Sequence, residues 1–294
     1  MARKPSRTEK KLLKQGKKPS KPPKASSKST ASKNQPQQGR PQKPKTVSAK
    51  LPHLKKGSYF IFGRNAIEAA LKNEDRDCLR LIGIEKALVK AEHLMAIRPG
   101  LRVDGVKSTD LFKEHVPADS PHQGILLEVL PLREKSIEDF NEAGDRQLML
   151  ILDQVTDPQN VGACLRAGAA LGAHALITPD RNCPLENGTI ARTSAGGLES
   201  LPWLRIGNLA ATLDDLKDKG FWVVGLDGDT DTSLREIDSN GKIALVMGNE
   251  GRGMRDLTRK QCDIIAKIPM TGRVESLNVA TAAAIALYEL GQTS

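Results

Sequence analysis

The chain has 294 residues, of which 27% are charged and only 3% are aromatic. This length suits one or two domains, and no apolar run of about 18 residues is present to form a membrane-spanning helix. The four cysteines form no C-x-x-C pair and have no histidines at zinc-finger spacing. A zinc ribbon, a disulfide scaffold and an iron–sulfur protein are therefore disfavoured, and we expect no metal, reduced thiols and a cytoplasmic location.

The basic excess is confined to the start of the chain. Residues 1–57 hold 18 lysines and arginines against one acid, Glu9, so residues 58–294 carry a net charge of −7. The same segment has eight of the 17 prolines and no aromatic residue. It has too little apolar surface to offset the entropy of ordering, so we predict a disordered basic tail. Such a tail suits RNA binding through phosphate neutralisation, and a solubilising extension is the alternative.

The composition becomes globular at residue 58, and residues 58–130 predict a small α/β domain. Ser108 and Asp110 are helix-start signals within it. Residues 131–146 are half charged and are predicted to be a linker. The periodicity predicts helices at 62–71, 87–96 and 108–114, and strands at 79–84, 101–106 and 124–130.

From residue 147 onward, short apolar strands alternate with helices. This alternation predicts a doubly wound, mostly parallel sheet, in which ligands bind at the carboxyl ends of the strands. The strands are expected at 148–155, 173–178, 203–206, 221–226, 243–247 and 264–268. The helices are expected at 161–171, 187–195, 209–219, 254–261 and 277–290.

The first unusual loop in this domain is residues 153–166, D-Q-V-T-D-P-Q-N-V-G-A-C-L-R. Asp157 and Pro158 form a turn, Asn160 is predicted to cap the next helix, and Arg166 lies inside that helix. An ordinary capped helix with a surface arginine explains the same letters. Taken alone, this loop does not distinguish a functional site from a connector.

The second loop is residues 247–255, M-G-N-E-G-R-G-M-R, whose glycines allow a backbone to approach a ligand closely. It matches neither the G-x-G-x-x-G dinucleotide fingerprint nor a G-x-x-x-x-G-K-[ST] phosphate loop. The third is residues 268–279, I-P-M-T-G-R-V-E-S-L-N-V, in which Ser276 and Asn278 flank a helix start. The alternatives are a glycine-rich turn with a solvated Glu250 and simple capping by Ser276. Alanines in the last helix suit either a core or a subunit interface.

Together the three loops resemble the SPOUT-class RNA 2′-O-ribose methyltransferases of the TrmH/RlmB branch, over residues 58–294. The similarity rests on Asn160 and Arg166 in the first loop, on Gly248 and Glu250 in the second, and on I-P-M-x-G followed by S-L-N-V in the third. F-G-R-N-A-I-E-A-A-L and H-Q-G-I in the small domain are similar to the family's RNA-binding domain. One departure is a second glycine, Gly197, where the family's R-x-S-x-G-A-x-E segment has alanine; it could loosen that helix.

This resemblance implies a deep trefoil knot, S-adenosylmethionine as the cofactor and no metal. It implies cofactor contacts at Gly248, Ile268 and Leu277, and catalytic roles for a second set of residues: Asn160, Arg166, Glu250, Ser276 and Asn278. The family casts Arg166 as a base, but a guanidinium resists deprotonation. We therefore expect Arg166 to bind an RNA phosphate and stabilise charge.

The implied activity is methyl transfer to the ribose 2′-oxygen of a guanosine in large-subunit (23S) ribosomal RNA by a homodimer. A transfer-RNA guanosine remains an alternative substrate. A non-catalytic RNA-binding protein of ribosome assembly is a second alternative, which need not retain all five catalytic candidates. A nicotinamide-dependent oxidoreductase is disfavoured by the missing fingerprint.

Overall fold

The computed structural model describes residues 47–118, 120–140, 144–251 and 253–291. The predicted basic tail therefore lies outside the described residues up to residue 46. Residues 47–57, which we also assigned to the tail, contain a short strand, β1 (Val47–Ser48), paired in parallel with β4 (Arg102–Val106). Leu51 and Leu54 pack against an apolar cluster around Phe112. These apolar side chains explain why the chain is folded before residue 58.

A five-stranded mixed sheet forms the small domain, with strand order β1-β4-β3-β5-β2. The helix predicted over 87–96 is two helices divided at Ala91, and the one predicted from Ser108 is a 3₁₀ turn. The Ser108 hydroxyl does accept a hydrogen bond from the Asp110 backbone N–H, as a cap should. The remaining elements are β2 (Tyr59–Ile61), α1 (Arg64–Lys72), β3 (Cys78–Ile84), α2 (Glu85–Lys90), α3 (Glu92–Ile97) and β5 (Ile125–Val129).

A six-stranded sheet follows, with order β11-β9-β10-β6-β7-β8 and every pairing parallel, which confirms the predicted architecture. The central strand β6 (Gln147–Leu152) is buried along its whole length. Its other strands are β7 (Ala175–Pro179), β8 (Trp203–Ile206), β9 (Phe221–Leu226), β10 (Lys242–Met247) and β11 (Ile264–Ala266). The helices are α4 (Pro158–Ala170), α5 (Gly188–Ser194), α6 (Gly197–Ser200), α7 (Leu209–Asp218), α8 (Asp256–Gln261) and α9 (Val279–Gly291).

The chain turns sharply at Gly196 and Gly197, where α5 ends and α6 begins. Ala195 and Gly196 both have left-handed backbone angles, with φ of 50° and 107°, and end α5 before Gly197 is reached. A Cβ atom on Gly197 would lie 2.7 Å from the backbone oxygen of Leu165 in α4. The second glycine therefore lets α6 close on α4, and the expected loosening of the helix is not what the structure shows.

A buried ion cluster joins the small domain to the parallel-sheet domain. Arg76, which is 1% exposed, donates to Glu199 Oε1 at 2.7 Å and also forms an ion pair with Glu186. The Tyr59 hydroxyl donates to Glu186, and the Asn73 amide donates to Glu199 Oε2 at 2.8 Å. Burial, followed by the charge of Glu186, raises the pKa of Tyr59 well above its usual value. The cluster fixes the two sheets through charged groups that are removed from water.

Candidate active site

A cavity of about 250 Å³ lies at the carboxyl ends of β9 and β10, between the loop after β11 and the start of α9. Its position agrees with the general rule for ligand sites in parallel sheets. Much of its wall is apolar or is glycine backbone, and carboxylates lie at its edge. It is lined by all three predicted cofactor contacts, Gly248, Ile268 and Leu277, and by two of the predicted catalytic residues, Glu250 and Ser276.

Gly248 is needed for the path of the loop that surrounds this cavity. A Cβ atom at Gly248 would lie 2.2 Å from the backbone carbon of Gly253, because the loop folds back on itself. Asn249 and Gly253 exchange two backbone hydrogen bonds, of 3.0 and 2.9 Å, across that fold. The close approach at Gly248 is therefore made by the protein's own backbone, whereas we expected it to be made by a ligand.

The carboxylate of Glu250 collects donors from two other loops. Its Oε1 accepts from Asn278 Nδ2 at 2.5 Å, from Asn160 Nδ2 at 3.2 Å and from the Val279 backbone N–H at 2.9 Å. Asn278 Nδ2 also lies 2.8 Å from Asn160 Oδ1. Three predicted catalytic residues from three separate loops thus form one hydrogen-bonded group, which we call the Glu250 cluster.

The helix caps at this site differ from those expected. Asp157 caps α4 by accepting the Gln159 N–H at 3.0 Å, so Asn160 lies within the first turn of the helix and its side chain is available to Glu250. At α9 it is Asn278 whose Oδ1 accepts two N–H groups, those of Ala280 at 3.0 Å and Thr281 at 3.2 Å. Ser276, the expected alternative cap, is exposed beside the cavity.

Arg166 stands apart from the Glu250 cluster. It is six residues after Asn160 on the same helix, which at 3.6 residues per turn places it roughly 120° around the helix axis. The side chain is exposed, and within the described ranges it has no hydrogen bond or ion pair. Within the described residues the guanidinium is therefore unpaired, and it lies outside the Glu250 cluster and outside the lining of the cavity.

Asp153 is an important residue to which the sequence pattern gave no role. It directly follows β6 and its side chain is fully buried. Its Oδ1 forms an ion pair with Arg255 Nη2 at 2.8 Å, and its Oδ2 accepts hydrogen bonds from Arg255 Nε at 3.1 Å and from Thr258 Oγ1 at 2.8 Å. Asn249 Nδ2 donates to the Gln154 backbone oxygen at 2.8 Å. These bonds hold the loop that carries Glu250 against the end of β6. An acid directly after a fully buried strand was the available signal.

Cys164 lies in α4 beneath the cluster and is not a reactive thiol. Burial, with a contribution from the charge of Glu250, raises the pKa of this thiol to about 12. A protonated, buried thiol is a poor nucleophile and a poor metal ligand. Among the residues that the structure describes, no group of three or more His, Cys, Asp or Glu side chains could hold a metal ion.

Comparisons with known proteins agree with this fold. Residues 147–288 match the SpoU rRNA methylase family. A 23S rRNA (guanosine-2′-O-)-methyltransferase RlmB from Xylella fastidiosa is 38% identical over 80% of this chain and 97% of its own length. The protein of the same name from Salmonella typhimurium is 47% identical over 79% of this chain and 97% of its own length.

Solved structures give the same result. The SpoU methyltransferase AviRb from Streptomyces viridochromogenes, in complex with AdoMet, superposes with a TM-score of 0.70 and 25% identity, over 80% of this chain and 90% of its own. The chain belongs to the SpoU family of RNA methyltransferases, which confirms the resemblance of its three loops. In the described residues no helix is long and apolar enough to cross a membrane.

Proposed function

We propose that this protein transfers a methyl group from S-adenosylmethionine to the ribose 2′-oxygen of a guanosine in 23S ribosomal RNA. The observation that carries the proposal is the Glu250 cluster at the edge of the cavity, built from all three loops that resemble the family. The relatives named for this reaction are matched over 97% of their length, so the proposal covers the whole enzyme rather than one domain.

The cavity suits S-adenosylmethionine chemically. Leu226, Ile268 and Leu277 offer an apolar wall for an adenine ring, and glycine backbone offers hydrogen bonds without steric obstruction. Asp227 and Glu275 at the edge bring negative charge towards a cationic ligand. When bound, this cofactor supplies a methyl group already activated by a positive sulfur, so the protein need provide only alignment and removal of a proton.

The residues of the Glu250 cluster would position the substrate. Asn160 and Asn278 offer amide groups that can orient a ribose hydroxyl, while Glu250 fixes both amides. Ser276 at the cavity edge adds a hydroxyl that can donate or accept. Asn160 lies in the first turn of α4, Glu250 in the loop after β10, and Ser276 and Asn278 just before α9. A bound ribose would therefore meet a prearranged set of polar groups.

Arg166 has a different task in this proposal. Its unpaired guanidinium would bind an RNA phosphate beside the target ribose and stabilise the charge that develops during transfer. A guanidinium remains protonated at neutral pH, so electrostatic stabilisation is the chemically consistent role.

We further propose a homodimer in the cytoplasm. Ile285 and Tyr288 are 40% and 58% exposed on one face of α9, beside the small alanines that allow close helix packing. An apolar helix face of this kind suits a second copy of the chain. An enzyme acting on ribosomal RNA works where ribosomes are made.

Mapping ribose methylation in 23S ribosomal RNA with and without the gene tests the proposal. Loss of one 2′-O-methylguanosine in the deletion strain, and its return with the purified enzyme and S-adenosylmethionine, is the expected result. Loss of a transfer-RNA methylation instead would identify the alternative substrate. An unchanged methylation pattern together with retained RNA binding would favour a non-catalytic assembly protein, and binding of NAD in place of S-adenosylmethionine would favour the oxidoreductase.

A further inference from the structure

A second cavity, of about 510 Å³, lies where the small domain, the linker after residue 130 and the parallel-sheet domain meet. Ligand pockets usually have volumes of about 300–1,000 Å³ and often form where domains adjoin. None of its lining residues belongs to the Glu250 cluster or lines the smaller cavity. Its apolar wall includes Leu132, Leu185, Leu198, Leu201, Pro202 and Trp203.

Trp203 supplies a fixed aromatic ring in this wall. Its Nε1–H donates to Thr178 Oγ1 at 2.8 Å, and the guanidinium of Arg205 lies 5.6 Å from the ring centroid. Trp203 is half-buried, whereas Leu185 in the same wall is 72% exposed, so the wall can be reached from solvent. A fixed and accessible aromatic ring is the surface on which a planar base stacks.

The polar part of the lining has more acceptors than the protein uses. Glu186 and Glu199 both line the cavity, and the single guanidinium of Arg76 pairs with both carboxylates. Glu186 Oε1 binds Tyr59 and Arg76. Glu186 Oε2 has one bond, from the Leu132 N–H at 3.3 Å, and a carboxylate oxygen has two lone pairs. The Glu186 side chain is 13% exposed, so its Oε2 can accept a further hydrogen bond from a ligand in the cavity.

Two cations on the linker line the same cavity. Arg133 and Lys135 are exposed, and in the described ranges neither has a hydrogen bond or an ion pair, even with the intervening Glu134. The cavity therefore combines an aromatic and apolar wall, an unused acceptor and two unpaired cations. Single-stranded RNA has the complementary groups, namely planar bases, amino donors and anionic phosphates.

We infer that this cavity holds an unpaired RNA base that carries an amino group. The base stacks on Trp203, its amino group donates to Glu186 Oε2, and Arg133 and Lys135 bind the adjoining phosphates. Carboxylates accept from cytosine N4 in this way, whereas uracil has a carbonyl oxygen at that position, which a carboxylate repels. The inference rests on the proposed function, because it takes RNA as the substrate, and it adds a contact remote from the methylated ribose.

The first test uses tryptophan fluorescence of the full-length protein. The chain has two tryptophans, Trp203 and Trp222, so Trp222→Phe reports on Trp203 alone and Trp203→Phe is the matched control that reports on Trp222 alone. Both are titrated with oligonucleotides of about six cytidines or six uridines, and with cytidine monophosphate. We expect the cytidine oligonucleotide to quench Trp203, to bind about tenfold more tightly than the uridine one, and to leave Trp222 unchanged.

Three results of this titration would overturn the inference. They are an unquenched Trp203, equal affinities for the cytidine and uridine oligonucleotides, and cytidine monophosphate binding as tightly as the cytidine oligonucleotide. The last result would indicate a site for a free nucleotide.

The second test is binding and methylation of a 23S ribosomal RNA transcript between about 50 and 200 mM salt. Arg133→Gln and Lys135→Gln should each reduce the slope of log affinity against log salt by about one. Trp203→Leu should weaken binding about tenfold at an unchanged slope, and Trp203→Phe should restore most of the affinity because it keeps a ring. KM for the transcript should rise more than kcat falls, and affinity for S-adenosylmethionine should be retained.

Lys219→Gln is the matched control for the linker cations. Lys219 directly precedes β9, which three strands separate from β8, the strand that begins at Trp203. Its salt slope should equal that of the wild type. Wild-type slopes for Arg133→Gln and Lys135→Gln, or an equal loss in Lys219→Gln, would contradict the inference.

Failure of the proposed function would give a different result. Quenching of Trp203 by the cytidine oligonucleotide without any methylation of 23S ribosomal RNA would overturn the proposed reaction and support the base site. Normal methylation with a wild-type KM in Trp203→Leu would overturn the base site and support the reaction.

Discussion

The molecule contains two polar clusters built from residues distant in sequence, and they differ in access to water. The Arg76 cluster joins the two domains, and the side chains of Arg76 and Glu199 are 0% and 6% exposed. In the Glu250 cluster, Glu250 and Asn278 are exposed, and Glu250 lines the cavity. The Arg76 cluster pairs fully charged side chains in the protein interior, whereas the Glu250 cluster surrounds one carboxylate with neutral amide groups.

This difference separates a structural role from a chemical one. Charges buried together stabilise a single arrangement, because losing one partner leaves the other charge uncompensated in a low-dielectric environment. An exposed carboxylate held by amides can exchange those bonds for bonds to a ligand at little cost. The variants below test this separation, beginning with the largest expected effect.

Replacing Arg76 should destabilise the fold most. Arg76→Met leaves Glu186 and Glu199 buried without a counter-ion, and we expect a loss of about 3–5 kcal/mol in the free energy of unfolding. Urea unfolding of the wild type and of Arg76→Met measures this change in the free energy of unfolding. The double variant Arg76→Met/Glu199→Met should recover part of the loss, since it removes a stranded carboxylate. A loss below about 1 kcal/mol in the single variant would show that the cluster does not hold the domains together.

Arg166 should affect chemistry without affecting stability. Arg166→Ala removes an exposed, unpaired side chain, so unfolding should change by no more than about 0.5 kcal/mol and cofactor affinity should be retained. Methyl transfer in a single-turnover assay should fall at least about 10²-fold. Arg166→Lys should also be impaired, because an ammonium lacks the planar fork. Near-normal turnover by Arg166→Ala would contradict the role and direct attention to Glu250.

Gly248 should be essential for the cavity loop. Gly248→Val would push a side chain into the backbone of Gly253, so we expect a loss of about 1–3 kcal/mol in stability and loss of cofactor binding. Gly228→Ala is the control, because Gly228 lines the same cavity and its Cβ would have nothing within 4 Å. Calorimetric titration with S-adenosylmethionine measures the affinity. Equal affinities in the two variants would mean that the loop tolerates a side chain at residue 248.

The smallest effect distinguishes the two residues that flank α9. Asn278→Ala removes a cap, which should reduce the free energy of unfolding by about 1 kcal/mol. Ser276→Ala should leave it within about 0.5 kcal/mol, because the Ser276 side chain is exposed and caps nothing. Thermal unfolding of both variants measures the difference. A larger loss for Ser276→Ala would reverse the assignment of the cap.

The sequence predicted the parallel sheet well, because period and strand length are local properties. Five of the eight predicted site residues line one cavity, since motif spacing and the rule for strand ends both point there, and their roles stay predictions. The sequence did not predict the structural roles of Gly248 and Asn160. Which backbone approaches Gly248, and which residue caps α4, depends on how loops fold back in three dimensions.

The contacts between domains could not be predicted. Arg76 and Glu199 are 123 residues apart, and no local pattern marks either as buried. A charged residue is ordinarily expected at the surface, so the pattern assigns such residues there. Residues 47–57 were misjudged for a related reason, because average composition concealed the few apolar side chains that pack on the small sheet.

Asn278 uses both ends of its amide, with Oδ1 on the backbone of α9 and Nδ2 on Glu250 and Asn160. At an ordinary helix N-cap, Ser, Thr, Asp and Asn can replace one another with little loss of stability. Here aspartate would keep the cap but would place a second carboxylate against Glu250, and serine would be too short to reach both partners. Replacing asparagine by aspartate or serine, which changes stability little at most helix starts, would therefore disturb the Glu250 cluster at residue 278. The position connects helix stability to the site, so selection on either preserves the same residue.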